Sequence, residues 1–217
     1  MSSTEGRVAQ NRLSAGTVDV DKMMYVGEST YWSALHRLYA APGQYTLSVE
    51  FESRSSNVVG YERSKITVPD FSSNQLMMSD LVMARLVEAI SPDEQVPAGS
   101  MVRDNIYIQP VIRSEYLRIE PIYFYFEIYN LLKGSGGNTR YEIEAILAEE
   151  EDAPGITDRI LHIFRIRDPV GVSVSMNGSG SDSNDAQYLI LDAQDQAPGS
   201  YILAVQVTDN VRGQTVV

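Results

Sequence analysis

The residues best placed to do chemistry in this chain are aromatic. Tyr123, Tyr125 and Tyr129 alternate with Ile122, Phe124, Phe126 and Ile128 across 121–132 (PIYFYFEIYNLL). An extended strand sends successive side chains to opposite faces. If the Ile and Phe set faces a core, the three tyrosines share the other face with Glu127. Aligned aromatic rings on an exposed sheet face can stack on sugar rings or anchor a partner protein. Tyr123, Tyr125 and Tyr129 are therefore the candidate ligand- or partner-binding residues. The competing reading is that the strand is central and that this face is covered.

Other reaction chemistries lack their parts. The absence of cysteine removes disulfides, thiolate nucleophiles and Cys-type zinc sites together. Two histidines stand far apart, His36 between Leu35 and Arg37 and His162 between Leu161 and Ile163 in an alternating segment. Gly-x-Ser-x-Gly, the strand-to-helix elbow of serine hydrolases, does not occur. The runs at 134–137 (GSGG) and 178–181 (GSGS) separate strand-like segments, so they read as hairpin turns rather than phosphate cradles. Carboxylates are plentiful, but Glu149-Glu150-Glu151-Asp152 is a charge run expected to be solvated. Asp182-Ser183-Asn184-Asp185 clusters oxygen donors without the alternating spacing and later Glu of an EF-hand loop. The expectation is a chain with no catalytic residue, no metal site, no cofactor and no enzymatic activity.

A formal net charge of -12 opposes binding to a phosphate backbone or an anionic bilayer. No stretch reaches the roughly 18 apolar residues of a membrane helix. The first residues, MSSTEGR, are polar and do not read as a targeting segment.

The elements that must position these residues announce themselves by repetition. Residues 41–49 (APGQYTLSV) and 197–205 (APGSYILAV) agree at six of nine positions, 156 residues apart. Each is a Pro-Gly turn followed by strict alternation. In immunoglobulin-like sandwiches a Tyr at the start of the penultimate strand returns its hydroxyl to backbone in the preceding corner. Tyr45 and Tyr201 are the candidate structural tyrosine corners, with Gly43 and Gly199 free to take a positive φ. At the same offset Trp32 falls on Tyr188 and Leu35 on Leu191, so 28–40 reads as a strand rather than a helix.

The rest of the chain divides into short segments with turn signals about every ten residues. Strands are expected over 45–51, 60–68, 105–110, 121–132, 140–148, 159–166, 170–176, 187–191, 201–208 and 214–217. The segment 76–90 reads as a strand or as a helix capped at Ser79-Asp80. The turn 134–138 should join 121–132 and 140–148 into a β-hairpin. The fold expected is all-β: two immunoglobulin-like sandwiches, an abbreviated one over 1–69 and a larger one over 70–217. So small a first unit should be marginal alone.

The Pro-Gly-x-Tyr-x-Leu-x-Val unit, Val68-Pro69-Asp70-Phe71-Ser72, Leu76-Met77-Met78-Ser79-Asp80-Leu81 and Tyr125-Phe126-Glu127-Ile128-Tyr129-Asn130-Leu131 together resemble the region that follows the signature domain of bacterial GWxTD-domain proteins. The resemblance spans about 38–217. The Gly-Trp-x-Thr-Asp signature is not in this chain, where Trp32 sits in Tyr-Trp-Ser. The resemblance implies a β-rich part of an exported, extracytoplasmic bacterial protein and carries over no catalytic residue. The expected function is a non-catalytic structural or protein-interaction module, with a protein partner or self-association and neither nucleic acid nor membrane insertion. The alternative is a carbohydrate-binding module using the tyrosine strand.

Overall fold

The computed structural model describes residues 35–53, 58–91, 100–150 and 171–217. The stretches around Trp32 and His162, and the expected strand over 159–166, lie outside them. The described residues hold twelve strands and no helix, as the alternating pattern requires. They fall in two compact units, Met1–Phe71 and Ser72–Val217.

The described part of the first unit is one long hairpin, β1 (Gly43–Ser53) and β2 (Val58–Val68), paired over its whole length from Gly43↔Val68 to Ser53↔Val58. Residues 35–41 are irregular, so the described end of the stretch expected as a strand over 28–40 is not one. Register places Tyr45, Leu47, Val49 and Ile66 on one face, and Thr46, Ser48, Glu50, Arg63 and Lys65 on the other.

The second unit is a face-to-face pair of antiparallel sheets. One runs β10 (Asp185–Leu191), β7 (Ile122–Tyr129), β4 (Val82–Ala89), β6 (Ile106–Pro110), β5 (Met101–Arg103), with the two-residue β3 (Met77–Met78) also on β7. The other runs β12 (Gln214–Val216), β11 (Tyr201–Asp209), β8 (Thr139–Glu149), β9 (Gly171–Gly180). The core between them takes Ile122, Phe124, Phe126 and Ile128 from β7, and Ile143, Ala145, Leu147, Val205 and Val207 from the facing sheet. Strands pleat with period two, so every second residue along β7, β8 and β11 enters this layer.

The segment with two readings, 76–90, is strand. Ser79 does not cap a helix: it accepts a hydrogen bond from the Glu127 amide on Oγ (2.9 Å), and its own amide donates to the Glu127 carbonyl (2.9 Å). The expected hairpin of β7 and β8 does not form. The 134–138 turn is present, closed by Gly134 and Gly137 amides donating to Asn138 and Gly134 carbonyls (both 2.9 Å). However, Asn130 takes a φ of 65°, Leu131 is buried, and the Leu132 amide donates to Asp209 Oδ2 (2.8 Å). The chain thereby leaves one sheet and enters the other. Gly178 is not a turn residue either. It lies inside β9 opposite Tyr141, whose ring covers it so closely that an added Cβ would sit 2.1 Å from the ring. A strand glycine can mark such a close approach.

A tyrosine–glutamate cluster on the outer face of β7

The outer face of β7 carries Tyr123, Tyr125, Glu127 and Tyr129, as the alternation predicts. Their neighbours across the ladder are Val82 and Ala84 on β4, and Ala186, Tyr188 and Ile190 on β10. Two features curl this sheet. A bulge at Arg85 shifts the β4 register, so that Ala84 and Val87, three apart, share the outer face and one apolar cluster. A two-residue turn then joins β5 to β6, with Asp104 and Asn105 both at positive φ (47° and 62°), the geometry of a type I′ hairpin.

The curl is measured by an ion pair. In a flat sheet the pairings Arg103↔Ile106, Ile106↔Ala89 and Val82↔Tyr125 would set Arg103 and Glu127 at opposite ends of β4, more than about 20 Å apart along the strands. Yet Arg103 Nε of β5 stands 3.6 Å from Glu127 Oε1. The far edge has folded over the face and brings Met101, Ile106 and Ile108 into one cluster with Tyr123, Tyr125 and Tyr188.

Glu127 is the hub. Its Oε1 accepts the Tyr125 hydroxyl (2.9 Å), its Oε2 accepts the Tyr129 hydroxyl, and Ser79 anchors its backbone. Burial, and next the hydrogen bond to Glu127, push both tyrosines well above the ordinary phenol range. Both stay protonated donors at neutral pH. Tyr125 is only 2% exposed. The three sequence-predicted tyrosines therefore do not form an exposed row. Tyr123 and Tyr129 are half-buried, and Tyr125 between them is sealed by the folded sheet edge and Glu127. Sequence reasoning placed Glu127 beside them but missed Arg103 and Asp104, which only the curl brings near.

A second cluster tethers the sandwich edge. The Tyr141 hydroxyl donates to Asp185 Oδ2 and accepts from Gln187 Nε2 (2.9 Å). Burial and Asp185 raise this tyrosine as well. Asn184 accepts the Asn130 amide (3.1 Å), so two oxygen donors of the 182–185 cluster serve the protein's own backbone and side chains. Among the described residues no three His, Asp or Glu side chains come together as metal ligands would.

The corners are explicit. Tyr45 donates to the Ala41 carbonyl (2.9 Å) and Tyr201 to the Ala197 carbonyl (2.7 Å), each four residues back. Each ring lies 3.6 Å from where a Cβ on the preceding glycine would be. Gly43 uses the freedom to take a positive φ (150°) and Gly199 does not.

Comparison with protein-family models, curated proteins and solved structures gave no match. Function must therefore be argued from geometry.

Proposed function

We propose that this chain is a non-catalytic structural and protein-interaction module. What carries the reading is the loop between β6 and β7. Ile112, Leu117 and Ile119 are 71%, 64% and 75% exposed there. The loop is nevertheless braced. Arg113 pairs with Glu120 (3.0 Å) and lies over the Tyr116 ring (4.8 Å). Glu120 also accepts the Leu117 amide (3.1 Å), and Arg118 donates to the Gln194 carbonyl (2.9 and 3.2 Å). A braced loop costs little ordering on binding, and its exposed apolar side chains can serve as contacts for a partner. The tyrosine cluster supports the non-catalytic part: the Tyr125 and Tyr129 hydroxyls are donors committed to Glu127, and the central ring is sealed.

The strand order supports an immunoglobulin-like reading of the second unit. β12-β11-β8-β9 and β10-β7-β4 match the G-F-C-C′ and E-B-A orders, with the tyrosine corner between E and F. Placement in a bacterial cell envelope or exported protein rests on the resemblance to GWxTD-domain proteins. The test is a photo-crosslinking residue at Ile119 in the native host. The expected result is one discrete adduct, lost when Ile112→Asp and Leu117→Asp are added without change in melting temperature. No adduct, together with polysaccharide binding that Tyr123→Ala abolishes, would replace this reading with the carbohydrate one.

A further inference from the structure

We propose that β1 is a strand-acceptor edge, which takes an extended segment of another polypeptide antiparallel to itself. This stands on different residues from the β6–β7 loop and is tested separately.

The warrant is the structural depth of the repeat. Beyond the shared corner, the hairpins have the same register. The pairs Val207↔Val216, Thr208↔Thr215 and Asp209↔Gln214 become, 156 residues earlier, Phe51↔Gly60, Glu52↔Val59 and Ser53↔Val58. β1 with β2 is thus the same unit as β11 with β12. In the second unit β11 holds β12 on one edge and β8 on the other. There β8 pairs through Leu203↔Leu147, Val205↔Ala145 and Val207↔Ile143, and the apolar side of β11 is buried. Among the described residues β1 has β2 on one edge and no strand on the other. Its apolar side is open, with Val49 51% and Ile66 36% exposed. A strand patterned for one buried face, with an edge that is unpaired among the described residues, offers backbone hydrogen bonds and alternate side-chain sites to an added strand.

The repeat also gives the chemistry of the occupant. Transferring the β8 register sets an apolar residue opposite Leu47, a small one opposite Val49, and outward residues opposite Glu50 and Glu52, where β8 carries Glu144 and Glu142. Like charges directly opposite each other destabilise a ladder. The segment that fits β1 therefore alternates apolar residues with cationic ones at those two places, where β8 is acidic.

The probe is a labelled 11-residue peptide with the Thr139–Glu149 sequence carrying Glu142→Lys and Glu144→Lys, titrated into the full chain by fluorescence anisotropy. We expect saturable one-to-one binding, stronger than that of the unaltered sequence at low salt. Val49→Lys should weaken it about tenfold, the scale of one lost apolar contact. The chain has no cysteine, so register can be read directly. Leu47→Cys should form a disulfide with a peptide carrying Leu147→Cys in preference to one carrying Ala145→Cys. No binding of either peptide, or binding indifferent to Val49→Lys, would overturn the proposal. So would a dimer of the chain held through β1, or β1 amides already protected on both edges in the free monomer.

Discussion

β1 and β11 start from nearly the same sequence, close the same corner and pair their following strands in the same register, yet they end in different surroundings. Val205 is 3% exposed; its counterpart Val49 is 51% exposed. The Tyr hydroxyl finds its carbonyl four residues back in both places, because that contact needs only the local Ala-Pro-Gly-x-Tyr geometry. Burial needs partners distant in sequence, and only β11 has β8 beside it and β7 across from it. Local sequence sets the corner and the hairpin; long-range pairing decides whether the strand contributes to a core.

The largest test of this difference is a charge placed in both copies. Val205→Asp should cost roughly 3–5 kcal/mol or prevent folding of the second unit, since an unpaired carboxylate enters a dry layer. Val49→Asp should stay within about 0.5 kcal/mol, as surface changes do. Chemical denaturation of both variants checks this, and equal losses would erase the distinction. Next in size is Gly178→Ala, where the new methyl meets the Tyr141 ring, against Gly136→Ala, where nothing lies within 4 Å. Overpacking should cost about 1–3 kcal/mol in the first, and thermal unfolding should barely register the second.

A smaller effect separates the corners. Tyr201→Phe removes one hydrogen bond and should lower stability by about 0.5–1.5 kcal/mol. Tyr45→Phe should leave the main cooperative transition in place, because the described part of its unit buries no core. If both shift that transition equally, the two units unfold as one. The smallest effect is confined to alkali. Tyr125, Tyr129 and Tyr141 have raised pKa values in the fold. Their contribution is intact below the unfolded phenol value of about 10 and is lost as pH rises above it, because the unfolded chain ionises first. Stability should fall beyond pH ~10, less steeply in Tyr125→Phe. Denaturation midpoints across pH 8–11, alongside tyrosinate absorbance, check the sign.

Much of this was readable in the residues. Period-two alternation set the faces of β7 correctly, and the repeated Pro-Gly-x-Tyr unit located both corners. What failed was pairing. The 134–138 turn says that the chain reverses but not which strand it meets, and a φ of 65° at Asn130 with Asp209 capturing the Leu132 amide sends β8 to the other sheet. The cover over Tyr125 was hidden for a related reason. The curl depends on an extra residue in β4 and a two-residue turn after Arg103, and alternation within β7 reports neither. Gly178 looked like a turn residue because glycine's other use, making room for a cross-strand ring, leaves no mark in its own sequence neighbourhood.

The central claim is that two copies of one strand differ only in what lies beside and across from them. Residue-resolved amide hydrogen exchange of β1 and β11 in the same sample tests it most directly. Protection in β11 should approach the global stability of the second unit at Ala204 and Gln206, whose amides face β8, while their β1 counterparts at Ser48 and Glu50, directed away from β2, exchange orders of magnitude faster. Matching protection at Ser48 and Glu50 in the isolated chain would contradict the claim and mean that β1 is already enclosed.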